Sequence, residues 1–178
     1  MISMKTILKI LIILTISFQL KAQEWQTPAI EGYGKIKYFE DAAELPDTSL
    51  TYKMIFNIDS EKEKEGVNVG LWKIARTLNL LKAGNIANEK IDIVAVLHGG
   101  ATYAILTDKE YKKRFKTQNP NMELLKLLKE NGVTVFVCGQ AMASRNIEKE
   151  HLNSYIEMAL SALTVLPNYQ LKGYALIP

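Results

Sequence analysis

Two side chains in this sequence have the chemistry of a reactive site: its one cysteine, Cys138, and the histidine His98. Cys138 ends the run Val133-Thr134-Val135-Phe136-Val137-Cys138, and Gly139-Gln140 follows at once. A β-branched and aromatic run reads as a buried strand, and the small residues from Gly139 to Arg145 read as a short helix behind it. A thiol at that junction can lie near free backbone N–H groups and the positive end of a helix dipole. Both favour the thiolate, which is the nucleophilic form. The position equally suits a packed, inert side chain, because free cysteine is among the most buried residue types.

His98 closes a second run, Ile91 to Leu97. If the two strands are neighbours, His98 and Cys138 open onto one edge of the sheet, where an imidazole can lower a thiol pKa or relay a proton. The plainer role is a ring whose nitrogens satisfy loop carbonyls. Four further residues are candidate ligand contacts. Gly99, beside Gly100, would let the backbone approach an anion. Gly139 and Gln140 supply N–H groups after the cysteine, and Arg145 is either a counter-ion for an anionic adduct or a solvated helix end. The sequence has no six-residue glycine fingerprint for a dinucleotide, no P-loop and no GxSxG elbow. With two histidines in the chain, no metal site and no cofactor are expected.

These residues need a scaffold, and the rest of the chain describes one. Thr51–Ile58 is a first strand, nearly continuous in apolar residues, as strands covered on both faces are. The charged stretch 59–65 is a solvated loop. Val67, Leu71, Ile74, Ala75, Leu78 and Leu81 recur at helical spacing, with Gly66 or Asn68 at the start and Gly84 as the terminating glycine. After His98-Gly99-Gly100 a short helix is predicted over Ala101–Leu106, and Asp108 is the predicted N-cap of another through Phe115. Met122–Glu130 is an amphipathic helix. A fourth strand is predicted over Tyr155–Met158, a helix over Ala159–Leu171 that Pro167 should kink or shorten, and a last strand over Gly173–Ile177. Strands alternating with helices imply an α/β fold: three layers, a mainly parallel sheet with helices on both faces, flavodoxin-like in outline.

The chain divides into a leader at 1–22, an extended arm at 23–50 with a short hairpin around Gly34–Phe39, and the α/β domain at 51–178. Lys5 and Lys9, the apolar run Ile10–Ile16 and a small residue at Ala22 form the pattern of a secretory signal peptide. The run is shorter than the roughly 20 residues of a membrane span. Cleavage before Gln23 and an exported, periplasmic or secreted product are expected, with no membrane attachment afterwards. Lys5, Lys9 and Lys21 account for the whole excess of 22 basic over 19 acidic residues. The remaining chain has no net positive charge to follow a phosphate backbone, which argues against nucleic-acid binding.

Taken together, Val94-Ala95-Val96-Leu97-His98-Gly99, Asn119-Pro120-Asn121, Leu125–Gly132, Val133–Gln140, Ser161-Ala162-Leu163-Thr164 and Gly173-Tyr174 resemble, in order and spacing, the DsrE/DsrF-like family of small sulfur-relay proteins. The resemblance covers about residues 51–178. It implies a three-layer α/β fold, homo-oligomeric assembly, and a cysteine carrying persulfide sulfur from a sulfur donor. Cys138 falls on the strand-end cysteine of many members. This chain differs from the characterised branch in its leader, its arm and its lack of a second cysteine. The leading expectation is a persulfide carrier or thiol-reactive protein using Cys138, with His98 and the N–H groups after Cys138 stabilising the thiolate. The alternative is a non-enzymatic module for a small ligand or partner, with Cys138 structural.

Overall fold

The apolar runs become parallel strands buried from both sides. The computed structural model describes residues 24–178; the expected leader at 1–22 and the cut at Gln23 lie outside the described residues. Strand β1 (Tyr52–Ile58) is followed by a small antiparallel ribbon of β2 (Glu63–Lys64) and β3 (Val67–Asn68). The strands β4 (Ile91–Leu97), β5 (Thr134–Cys138), β6 (Glu157–Ala159) and β7 (Ala175–Ile177) join β1 in one sheet ordered β6-β5-β4-β1-β7, every neighbouring pair parallel. Pairings Ile58↔Leu97, Leu97↔Val137 and Cys138↔Ala159 bring the carboxyl ends of four strands to a common edge.

Strand order dictates where the helices go. The chain steps from β1 through β4 and β5 to β6 in one direction, so crossovers of one hand lay α1 (Val69–Ala83), α2 (Asp108–Phe115), α3 (Met122–Glu130) and α4 (Gly139–Ala143) on one face. It then returns across the whole sheet to β7, which puts α5 (Ala162–Leu171) on the other. The larger core joins Phe56, Ile58, Ala95 and Val137 to Leu71, Ile74, Leu124 and Leu128. The smaller one joins Ile55, Val94, Val96 and Cys138 to Ala162 and Val165. The α/β fold with helices on both faces is as expected, although among the described residues one face carries a single helix.

Local chemistry departs from expectation in places. The 59–65 stretch is exposed but not all loop: Glu65 (φ 52) and Gly66 (φ 82) form the two-residue turn between β2 and β3. Asn68 caps α1, its Oδ1 accepting from the Gly70 N–H at 2.9 Å. Gly84 follows α1 with φ −80, and the left-handed residue is Asn85 (φ 59). What requires glycine at 84 is Pro46 of the arm, whose Cγ would lie 2.6 Å from an added Cβ. Thr107, not Asp108, caps α2; the Asp108 carboxylate instead accepts the Asn119 N–H at 2.9 Å. The turn after β4 is a 3-10 helix over Gly99–Ile105. Strand β6 starts later than expected, because Ala159 pairs with Cys138 and α5 waits for its cap at Ser161. The helix runs through Pro167 to Leu171, and the carbonyl left without a donor, that of Leu163, belongs to a residue open to water.

No hairpin forms around Gly34–Phe39. A single antiparallel bridge, Gln26↔Ile36, closes a loop that plugs Ile30 and Ile36 into the molecule. Asn79, buried on α1, holds that loop. Its Oδ1 accepts from the N–H groups of Ala29 (2.8 Å) and Ile30 (2.9 Å), and its Nδ2 donates to the carbonyls of Tyr33 (2.9 Å) and Gly34 (3.1 Å). Among the described residues no helix is long and apolar enough to cross a membrane.

Candidate thiol site at the carboxyl edge of the sheet

Alternation along the strands places three polar side chains on one face at the carboxyl edge. Ile55 in β1, Val94 and Val96 in β4, and Cys138 in β5 belong to the smaller core. The period of two therefore puts Asn57 and His98 on that face as well. One step past the pair Leu97↔Val137 stand His98 and Cys138, so the two residues do reach the same edge of adjacent strands. Their side chains do not pair with each other. His98 Nε2 lies 2.7 Å from Asn57 Oδ1, on the far side from β5.

The partners of Cys138 come from the other direction. The thiol is 5% exposed and lies 3.9 Å from Ser161 Oγ, at the start of α5. Burial pushes the thiol pKa up. The backbone N–H of Ala162, the N–H of Ala141, the Ser161 hydroxyl and the N–H of Gln140 together outweigh it and leave the thiol below its ordinary value. The sulfur thus sits where two helix starts meet, α4 directly behind β5 and α5 behind β6. Ser161 serves both purposes. Its Oγ accepts the Leu163 N–H at 3.2 Å as the cap of α5, and its hydroxyl hydrogen remains able to donate to a thiolate.

A model of the DsrE/DsrF-like family matches residues 53–178. This chain belongs to the DsrE/DsrF-like family. Two solved structures share the fold. The protein of unknown function MTH1491 from Methanobacterium thermoautotrophicum is 19% identical with TM-score 0.52, over 71% of this chain and 97% of that one. The ychN protein from E. coli is 18% identical with TM-score 0.50, over 70% and 96%. No curated protein matches the chain.

The other candidate contacts scatter within this DsrE-type frame. Gly139 is a packing glycine: an added Cβ would lie 3.0 Å from the Ala159 carbonyl oxygen, so its absence lets α4 start hard against β6. Gln140 is exposed, and its Nε2 reaches the Leu160 carbonyl at 3.4 Å. Gly99 (φ 50) and Gly100 press against the loop after β1, where a Cβ on Gly99 would meet the Asp59 oxygen at 2.8 Å. Their freedom brings two loops together. Arg145 donates to the Ala141 carbonyl and to Ser144 Oγ, both at 3.1 Å, and lies over the Tyr103 ring. That is the carbonyl end of α4, opposite the end facing the thiol. Sequence reading missed Ser161 and Ala162 as site residues. A serine before an apolar helical run is a legible N-cap, but only the β5–β6 pairing brings it to the sulfur. Among the described residues no cluster of three metal-ligating side chains occurs.

Proposed function

We propose that this DsrE-family protein is a sulfur carrier in which Cys138 accepts sulfane sulfur as a persulfide. The observation that carries the reading is the seat of Cys138 at the carboxyl end of β5, where the starts of α4 and α5 meet and Ser161 Oγ lies 3.9 Å from the sulfur. The N–H groups of Ala162, Ala141 and Gln140 there favour the thiolate. A thiolate stabilised this way attacks the outer sulfur of a persulfide or polysulfide donor. The S–S bond of the donor breaks, its inner sulfur leaves as a thiolate, and the protein holds Cys–S–S⁻ after loss of the outer proton. No external oxidant or reductant is needed, since the sulfane sulfur moves without net electron transfer. Intact-mass measurement after treatment with polysulfide tests it: a gain of about 32 Da on the wild type and none on Cys138→Ala is expected. Equal adducts on both, or none on either, overturn the proposal.

The burial of Cys138 among Val96, Ala162 and Val165 favours a second reading, a binding module in which the thiol only packs. Under that reading the native thiol stays unreactive until the protein is denatured. Two further parts belong to the proposal. Residues 1–22 direct export, which a mature N-terminus at Gln23 would support. A second copy of the chain covers the α5 face, where Leu160, Leu163 and Leu171 are 72%, 83% and 86% exposed.

A further inference from the structure

We propose that a cavity on the opposite face of the sheet from the thiol binds a small organic ammonium cation. The cavity, about 260 Å³, opens between the loop after β1, the 3-10 segment after β4, and α2. Three rings contribute to its lining: Tyr103 and Phe115 meet edge to face with centroids 5.4 Å apart, and Tyr111 tilts against Phe115 at 4.6 Å. Phe115 is 44% exposed, an apolar ring left in water that an occupant would cover. Glu61 and Glu63 are the charged residues of the lining, and Asn121 is buried within it.

The charge pattern selects the ligand class. Among the described residues no basic side chain lies within 4.0 Å of the Glu61 or Glu63 carboxylates, and no lysine or arginine lines the cavity. Lys64 lies over Trp72, Lys35 pairs with Glu65 and Lys113 pairs with Glu110, while Arg114 and Arg145, neither of them in the lining, lie over the Tyr103 ring at 5.8 Å from its centroid. Burial, then the charge of Glu63, raises the Tyr111 phenol. Two carboxylates repel an anion. Hard metal ions want about six oxygen ligands; the lining offers two glutamates, and the Oδ1 atoms of Asn68 and Asn121 already accept the Gly70 and Asn68 N–H groups. An alkylated ammonium meets both features, its charge facing the carboxylates and its methyl groups against the ring faces. The Gly100 backbone sets the mouth, since a Cβ there would lie 3.0 Å from the Glu61 nitrogen.

Choline and its uncharged tert-butyl isostere are the probes, each titrated into the protein while NMR follows the ring resonances of Tyr103, Tyr111 and Phe115. Saturable shifts with choline are expected, with the isostere weaker by about fivefold or more. The variant Glu61→Gln/Glu63→Gln, altered only at exposed side chains, should weaken choline about fivefold and leave the isostere unchanged. Absence of saturable shifts up to about 50 mM choline overturns the proposal. So does equal affinity for the two probes, which would reduce the cavity to an apolar cleft.

Discussion

At the scale of single residues, the thiol and the histidine share an edge but not a hydrogen bond. Cys138 draws on Ala162, Ala141, Ser161 and Gln140, while His98 is turned to Asn57. The pH profile of Cys138 alkylation should therefore rise at lower pH than for an ordinary thiol, because the rate follows the thiolate fraction. Ser161→Ala should move that rise upward and slow alkylation near neutral pH about threefold. His98→Ala should change the rate by less than about twofold, against the coupling expected from the sequence. An equal effect of both substitutions would return His98 to the site. Tyr174 offers a second titration. Burial, then the hydrogen bond it donates to Asp92, pushes its phenol up to about 12. A folded-state pKa raised above the unfolded value of 10.0 gives stability that is fully present below pH 10 and lost as pH rises towards 12. Denaturation midpoints across that window should fall less steeply in Tyr174→Phe than in the wild type.

At the scale of elements, one buried amide fastens the arm to the domain. Asn79 satisfies two N–H groups and two carbonyls of the 29–34 loop, all backbone groups that α1 alone could not reach. Asn79→Ala leaves them unpaired and should cost about 2–4 kcal/mol in chemical denaturation, with new proteolytic sensitivity between Gln26 and Ile36. Gly34 marks the closest approach. At φ 61, an added Cβ would lie 2.3 Å from the Arg76 nitrogen, so Gly34→Ala should free the same loop. The amphipathic pattern of α1 was legible from Leu71, Ile74 and Leu78. The purpose of Asn79 was not, since its partners lie far away in sequence.

At the scale of the whole molecule, the two faces of the sheet are unequal. Among the described residues, four helices and the arm cover one face while α5 alone crosses the other, and its ends carry Leu163 and Leu171 into water. Apolar surface of this kind is covered in an oligomer far more often than left bare. Light scattering should show an assembly larger than one chain, and Leu163→Glu with Leu171→Glu should reduce it to a monomer with unchanged circular dichroism. A monomeric wild type would remove the self-association part of the proposal. Because Leu160 and Leu163 flank Ser161, such an assembly would also bring the partner copy close to the thiol.

The residues alone determined the five strands of the main sheet, the α/β class and the strand-end position of Cys138, because apolar periodicity and turn residues act within a few positions of each other. Burial on both faces was legible in Met54-Ile55-Phe56 and in Ile93 to Leu97 for the same reason. The partners of the thiol were decided only by the tertiary structure. Ser161 and Ala162 stand more than twenty positions beyond Cys138, and what joins them is the parallel pairing of β5 with β6. Hydrogen bonding between strands and the hand of the crossovers set that pairing, and neither is written in any local stretch of chain.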